Sequence, residues 1–249
     1  MRMGSTVAEA ARRVDVDTKP LWCGAISDAL PRMNDPSAFI AANTRVLSPP
    51  LVPEIRLHLA EESLPIWQKT EEELGEMNVP PPFWAFAWSG GLAVARYLVD
   101  HPEEVAGRRV IDVASGSGLC AIVAARLGAA SVQAVDVDPL SAAAVDLNAR
   151  ANHVRIAFSG RDPLGDPPPS ADVLLAGDVS YEEPMAVRMA VWLRSAAEHG
   201  TRVLLGDPGR AYLPPGLERL ATYRLRTSRE IEDAELTDAA VYTMARAGS

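Results

Sequence analysis

The chain is poor in the residues that build disulfide frameworks and metal centres. Its 249 residues include only two cysteines and four histidines. Cys23 and Cys120 lie far apart in sequence, and the histidines are scattered without the spacing of metal ligands. We therefore expect no disulfide scaffold, no metal site and a reducing compartment.

Long apolar stretches are missing as well. No run approaches the ~18 consecutive apolar residues of a membrane span. Residues 1–20 lack the apolar core of a secretory signal peptide, and Glu9, Asp15 and Asp17 interrupt the arginine pattern of an organellar transit peptide. These absences predict a cytoplasmic protein if the source is bacterial, or a mitochondrial matrix protein if it is eukaryotic, with no membrane partner.

Lysine is scarce, and acidic residues outnumber basic ones. Lys19 and Lys69 are the only lysines among 24 basic residues, and the net charge is −9. An acidic surface disfavours nonspecific binding to nucleic acids and to anionic membranes. Residues 54–76 carry seven acidic and two basic side chains, which fits a solvated face and also a docking surface for a cationic partner.

Aromatic residues make up only 6% of the chain, yet four of them fall within six positions. Phe83, Trp84, Phe86 and Trp88 follow the stiff run Pro80–Pro82. Such rings serve as core residues under a sheet edge or as the walls of a pocket for a flat or cationic ligand.

From residue 109 onward, short apolar strands alternate with helical segments. This alternation predicts a mostly parallel sheet with helices on both faces and an antiparallel final strand. The predicted strands are 109–113, 132–135, 154–158, 172–176, 201–206, 222–227 and 239–245, and the predicted helices are 118–128, 139–151, 184–198 and 216–221. Upstream, the pattern predicts helices at 37–47, 65–75 and 92–99 and a strand at 55–59.

The most informative stretch is Val110–Gly118, a strand that runs into a turn of small residues and out into a helix. Small residues let the backbone approach a ligand, and the helix N-terminus offers free N–H groups. Asp136 ends the next strand, where an acid accepts the hydroxyls of an adenosine ribose. An ordinary tight turn followed by a capping acid is the alternative.

The choice of nucleotide rests on two further features. Gly116, Gly118 and Ala121 also fit the dinucleotide fingerprint, which leaves an NAD-dependent oxidoreductase open. However, Asp112 is a poor neighbour for a pyrophosphate and suits an amino-acid ammonium group. About 100 residues follow the second helix of this region, enough to finish one sheet but not to add a substrate domain. Both features favour S-adenosylmethionine.

The chain resembles the class I, seven-strand S-adenosylmethionine-dependent methyltransferases, and among them the electron transfer flavoprotein β-subunit lysine methyltransferases. The resemblance covers roughly residues 37–245, and its main segments are LPIWQKTEEELG (64–75), PFWAFAWSGG (82–91), DVASGSG (112–118), DVDP (136–139), GDVSYE (177–182) and GDPGRAYLP (206–214). It implies an α/β fold with a Rossmann-like seven-strand sheet, mostly parallel with an antiparallel final strand, plus an N-terminal helical extension.

The resemblance also implies a cofactor site for S-adenosylmethionine. Its expected members are Trp88, Asp112, Ala114, Gly116, Gly118, Asp136 and Asp162. Asp162 corresponds to the residue near the adenine amino group, with a turn acid before Pro163 as the alternative. Ala114 replaces a glycine of the family pattern; alanine is tolerated there if its φ is negative, so we expect binding to be retained.

The loop after the fourth strand of the sheet is implied to face the acceptor. We expect Asp178 and Tyr181 to orient an amine there, while Glu182 does the same or caps the next helix. Trp84 and Trp88 are expected to wall the pocket. Asp207 and Arg210 either form a buried ion pair that shapes the pocket or contact the substrate.

Three parts are expected along the chain: a poorly structured lead-in at 1–35, an N-terminal extension at 36–106 that packs on the cofactor site, and a methyltransferase domain at 107–249. The resemblance implies a protein-lysine N-methyltransferase, with the electron transfer flavoprotein β-subunit as its protein substrate. A small-molecule N-methyltransferase and a silent binding module are the alternatives, because fold and cofactor do not fix the acceptor. A monomer is favoured.

Overall fold

The computed structural model describes residues 35–60, 82–226 and 236–244. The lead-in before Asp35, the predicted helix at 65–75 and most of the acidic segment lie outside these ranges.

Nine strands lie within the described ranges. They are β1 (Arg45–Leu47), β2 (Leu57–Leu59), β3 (Arg109–Val113), β4 (Ser131–Val135), β5 (Ala157–Ser159), β6 (Val173–Gly177), β7 (Arg202–Asp207), β8 (Leu217–Arg226) and β9 (Leu236–Met244). Seven of them form one sheet in the order β5–β4–β3–β6–β7–β9–β8. Strands β3 to β7 are parallel, and β9 runs antiparallel between β7 and β8. The predicted sheet is therefore confirmed.

Five α-helices lie in the same described ranges. They are α1 (Pro36–Asn43), α2 (Ser89–Asp100), α3 (Leu119–Arg126), α4 (Pro139–Ala151) and α5 (Glu183–Glu198). Two of them begin with an aspartate cap followed by proline, at Asp35 and at Asp138. No helix in the described ranges is long and apolar enough to cross a membrane.

Two predicted elements differ from the structure. The helix expected at 37–47 ends at Asn43, because β1 pairs with β2 in a separate antiparallel ribbon. The short helix expected at 216–221 was wrong, since this segment belongs to β8 and pairs along its length with β9. The backbone N–H and C=O groups of β8 form hydrogen bonds with β9. The propensities of residues 216–221 do not indicate this pairing, because it depends on a separate segment of the chain.

Successive side chains of the sheet point to two apolar layers. Val110, Leu175 and Leu204 join the layer formed with α2 and α3. Their neighbours Ile111 and Leu174 join the layer formed with α5. Helices on both faces thus hold the carboxyl ends of the parallel strands in fixed positions.

Helix α2 meets the sheet through glycine on both sides. A Cβ atom added at Gly90 would lie 2.2 Å from the carbonyl oxygen of Gly206, and one added at Gly206 would lie 2.0 Å from that of Gly90. A Cβ at Gly177 would lie 2.7 Å from the Cα of Gly91. The N-terminus of α2 therefore rests directly on the backbones of β6 and β7.

Candidate active site

A pocket of about 560 Å³ opens at the carboxyl edge of the sheet. This is the edge at which open parallel sheets bind their ligands. Nine of the ten residues predicted for the cofactor and the acceptor line it: Trp88, Asp112, Ala114, Gly116, Asp136, Asp162, Asp178, Tyr181 and Glu182. The tenth, Gly118, lies outside the lining, and a Cβ there would be 3.0 Å from Val145 of α4. Gly118 instead lets α3 begin close to α4.

The turn between β3 and α3 passes through left-handed backbone conformations. The φ angle is +52° at Ala114, +49° at Gly116 and +78° at Gly118. Our expectation of a negative φ at Ala114 was wrong, since the alanine adopts the conformation that favours glycine. A left-handed alanine costs roughly 1–2 kcal/mol, so the turn carries local strain beside the pocket.

We predict that Ala114→Gly stabilises the protein by about 0.5 kcal/mol, because relief of the strain exceeds the entropy cost of glycine. The free energy of unfolding from urea denaturation measures the change. Ala114→Val serves as the opposite variant and should destabilise the fold, because a β-branched residue tolerates a positive φ poorly. A loss of stability in Ala114→Gly, as in an ordinary alanine-to-glycine change, would contradict the assignment.

Asp136 links the turn between β3 and α3 to the turn between β4 and α4. Its Oδ2 accepts a hydrogen bond from the Gly116 N–H at 2.7 Å, and its Oδ1 accepts one from the Asp138 N–H at 2.9 Å. Burial raises the pKa of this carboxyl, and the hydrogen bonds from the backbone oppose that rise. Asp136 thus sits at the end of β4 with its carboxylate held in a fixed orientation.

Two further carboxyl groups lie close to Asp136. Asp112 is 2% exposed, and its Oδ2 accepts the Ala121 N–H at 3.0 Å. Asp138 caps α4 through Oδ1, while its buried Oδ2 has no hydrogen-bond partner among the described residues. Burial raises the pKa of each to about 7, and the charge of Asp136 adds to the rise. These groups suit a cationic ligand and disfavour a pyrophosphate.

Asp162 lies in the pocket wall and also stabilises its own turn. Its Oδ1 accepts the Leu164 N–H at 2.9 Å, which caps the 3-10 turn Pro163–Gly165. Its Oδ2 lies 3.5 Å from a guanidinium nitrogen of Arg188 on α5. The structure therefore shows the turn acid expected before Pro163, and the place of Asp162 in the pocket lining leaves its role near the adenine amino group a prediction.

Aromatic rings form one side of the pocket. The ring centroid of Phe83 lies 5.8 Å from that of Trp88 and 5.7 Å from that of Tyr181. The Trp88 indole N–H donates to the carbonyl oxygen of Phe83 at 2.9 Å. Trp84, which we expected in this wall, is fully buried and packs with Ile40 of α1 instead. Within the 3-10 turn Phe83–Ala85, Phe83 is exposed whereas its neighbour Trp84 is buried.

Asp178, which we expected to orient the acceptor, is held in the pocket lining by two hydrogen bonds. It is 8% exposed, its φ is +56°, and its Oδ2 accepts the Gly91 N–H at 2.9 Å. Its Oδ1 accepts a hydrogen bond from Arg210 at 3.1 Å. Of the two alternatives for Asp207 and Arg210, the mutual ion pair is not formed, because Asp207 accepts the backbone N–H groups of Gly209 and Arg210. A partly buried ion pair joins Arg210 to Asp178 of the other loop instead.

Tyr181 and Glu182, the other two residues expected to meet the acceptor, also line the pocket. The pKa of the Tyr181 hydroxyl is raised to about 12 by burial and by the charges of Glu182 and Asp136. The phenol therefore stays protonated. The ring remains 45% exposed at the pocket rim. Glu182 occupies the N-cap position of α5, but its side chain makes no capping hydrogen bond. The expected cap is therefore not formed, and Glu182 is one of the residues that line the pocket.

Comparison with known proteins decides the family. The family model for ribosomal protein L11 methyltransferase (PrmA) matches residues 98–177. The chain is 37% identical to the electron transfer flavoprotein beta subunit lysine methyltransferase of Xenopus laevis, over 84% of this chain and 86% of that relative. It is 33% identical to the Homo sapiens protein of the same name, over 89% of this chain and 85% of the relative. The chain belongs to the electron transfer flavoprotein beta subunit lysine methyltransferase family.

Solved methyltransferase structures are similar to this family member at lower sequence identity. The ribosomal protein L11 methylase from Lactobacillus delbrueckii subsp. bulgaricus is 22% identical with a TM-score of 0.42, over 61% of this chain and 77% of that one. The magnesium protoporphyrin IX methyltransferase from Synechocystis PCC 6803 with bound SAM is 16% identical with a TM-score of 0.46, over 61% and 76%.

Several pocket residues of this methyltransferase were not among the predicted site residues. The sequence did mark Asp138 as a helix cap before Pro139, and it placed Phe83 in the aromatic cluster after Pro80–Pro82. Arg188 follows Met185 by three positions on α5, so both face the pocket. The helical period predicts that these two residues share one face of α5. Which face of α5 meets the pocket depends on how the helix packs against the sheet. Six carboxylate side chains and two guanidinium groups line the pocket: Asp112, Asp136, Asp138, Asp162, Asp178, Glu182, Arg188 and Arg210.

Proposed function

We propose that this protein transfers the methyl group of S-adenosylmethionine to lysine side chains of the electron transfer flavoprotein β-subunit. The observation that carries the proposal is one pocket in which carboxylates and aromatic rings meet at the carboxyl edge of the sheet. The relatives from Xenopus laevis and Homo sapiens are named for this reaction.

The described residues fit S-adenosylmethionine as the cofactor. Asp112 would hold the ammonium group of its methionine part, and Asp136 would accept the ribose hydroxyls at the end of β4. Gly116 lines the pocket with a φ of +49° and no side chain, so its backbone is open to close approach by the cofactor. When bound, the cofactor supplies a methyl group on a sulfonium, which an amine attacks in line.

The protein must deliver the acceptor amine in its neutral form. A free lysine has a pKa near ~10.4, so deprotonation near neutral pH costs on the order of 4 kcal/mol. Phe83, Trp88 and Tyr181 surround the amine with apolar surface, which disfavours the ammonium form and lowers that cost. Positioning of the two reactants contributes up to roughly 7–11 kcal/mol to the rate.

Asp178 and Tyr181 are proposed to orient the amine. Asp178 is itself fixed by Gly91 and Arg210, so its carboxylate cannot rotate freely. Tyr181 keeps its proton and offers a hydroxyl as donor or acceptor. A carboxylate favours the charged form of the amine, so Asp178 is expected to steer the amine and not to activate it.

Mass spectrometry of the flavoprotein β-subunit after incubation with this protein and S-adenosylmethionine tests the proposed function. We expect added methyl groups on lysine. In Asp178→Asn, turnover is expected to fall by about 10- to 100-fold while the Kd of the cofactor stays near that of the wild type. Weaker cofactor binding without a specific loss of turnover would contradict the acceptor role. Methyl transfer to small molecules alone would favour a small-molecule N-methyltransferase.

Cofactor binding is predicted to depend on pH around neutrality. Below about pH 7 Asp112 is protonated and does not attract an ammonium group, whereas above it the carboxylate is ionised. The affinity for S-adenosylmethionine should therefore fall about tenfold from pH 8 to pH 6. Calorimetric titration measures this affinity. Asp112→Asn should bind the cofactor more weakly, and its affinity should depend less on pH. We expect Asp138 to supply the pH dependence that remains. An affinity that is constant over this range would exclude Asp112 as the ammonium partner.

A further inference from the structure

Phe83 is the ring that links Trp88 and Tyr181 in the aromatic wall of the pocket. Its neighbours at less than 6 Å between centroids are Trp88 on one side, at 5.8 Å, and Tyr181 on the other, at 5.7 Å. Phe83 and Tyr181 are 43% and 45% exposed, so both rings reach the rim of the pocket. A ring so placed meets whatever enters the pocket from solvent.

The backbone beneath Phe83 holds this exposed ring in place. Trp84 and Ala85 in the same 3-10 turn are fully buried, and the Ala85 N–H donates to the Pro82 carbonyl oxygen at 2.9 Å. The Ala60 N–H donates to the Ala85 carbonyl oxygen at 2.8 Å, which joins the turn to the chain after β2. The Phe83 carbonyl oxygen also accepts the Trp88 indole N–H. The ring is therefore preorganised at the rim although nearly half of it is exposed.

The chemistry of this rim matches a long alkyl amine. The planes of Phe83 and Tyr181 are inclined by 46°, so the two rings are not stacked on one another and each keeps surface for a ligand. A lysine side chain carries four methylene groups that gain from apolar contact, and an ammonium or methylated ammonium group is attracted to ring faces. Asp178 and Glu182 line the same pocket and supply the carboxylates that an amine nitrogen would meet there.

We propose that Phe83 is a specificity-determining residue that, together with Tyr181, takes the alkyl stem of the acceptor lysine as it enters the pocket. This proposal rests on the proposed function, because it assigns the acceptor and not the cofactor to this ring. It predicts that the loss of Phe83 affects recognition of the protein substrate and leaves cofactor binding intact.

The test uses the full-length enzyme with Phe83→Ala, Phe83→Leu and Phe83→Tyr, assayed on the flavoprotein β-subunit. Val191→Ala is the matched control, because Val191 is an apolar residue of α5 that is 61% exposed and lies outside the pocket lining. KM for the protein substrate, kcat and the calorimetric Kd for S-adenosylmethionine are measured for each variant. Circular dichroism confirms that each variant is folded.

The expected result is a graded rise in KM for the protein substrate. Phe83→Ala should raise it about tenfold and Phe83→Leu about threefold, while Phe83→Tyr and Val191→Ala stay within about twofold of the wild type. The cofactor Kd should change by less than about twofold in all four variants.

Two outcomes would overturn the inference. A wild-type KM in Phe83→Ala shows that the ring does not contact the acceptor, and a weakened cofactor Kd with unchanged KM shows that it belongs to the cofactor wall. Either result leaves methyl transfer by the wild-type enzyme in place, so the proposed function stands. If the wild-type enzyme transfers no methyl group to the subunit, the proposed function fails and this inference fails with it.

Discussion

Gly90→Ala is expected to destabilise the protein by at least about 3 kcal/mol, a large part of the total stability of a typical domain. The added Cβ would lie 2.2 Å from the carbonyl oxygen of Gly206 and 2.7 Å from Oδ2 of Asp178. The first of these atoms belongs to the backbone of β7 and cannot rotate away. Helix α2 would have to move off the sheet, which breaks the hydrogen bond from the Gly91 N–H to Asp178.

Gly91→Ala, at the next position of the same helix, is the matched control. A Cβ at Gly91 would have no atom within 4 Å outside its own helix, so it adds no overlap. Alanine also favours the helix over glycine by up to about 1 kcal/mol. Urea denaturation of the two variants should therefore give shifts of opposite sign. Equal stability of Gly90→Ala and the wild type would show that α2 does not rest on the backbone of β7.

Asp136→Asn is expected to weaken binding of S-adenosylmethionine by roughly 10- to 100-fold, the effect of losing about 1.5–3 kcal/mol from hydrogen bonds to a charged group. Both carboxylate oxygens already accept backbone N–H groups, from Gly116 and from Asp138. An asparagine offers only one oxygen, so its amide NH2 would face one of these donors. The loop that holds the cofactor would shift, and the negative charge beneath the ribose would be lost.

Asp172→Asn is the control for this change. Asp172 lies at the start of β6, on the edge opposite the pocket, where it pairs with Arg109 at 2.8 Å on the surface. Removal of its charge should leave the calorimetric Kd of the cofactor unchanged within about twofold. If Asp136→Asn binds the cofactor as tightly as Asp172→Asn does, Asp136 is not the ribose partner.

The sequence predicted the sheet well because its information is local. Apolar strands followed by helices require a parallel sheet, and the short run Val110–Gly118 already contains the strand, the small residues and the helix start. The acids at the carboxyl ends of strands, Asp136 and Asp178 among them, could be placed at one edge for the same reason. The failures were the first half of β8, predicted as a helix although it pairs with a distant strand, and the end of the helix at 37–47, which depends on β2.

The fold class and the edge of the sheet that carries the site follow from the sequence alone, as do most of the residues along that edge. Three features follow only from the folded chain: Ala114 is left-handed, Trp84 faces the core while Phe83 faces the pocket, and Arg210 pairs with Asp178. These three facts depend on how separate segments pack against one another. A sequence pattern specifies which residues belong to an element, whereas the direction of each side chain follows from the neighbours that the fold brings to it.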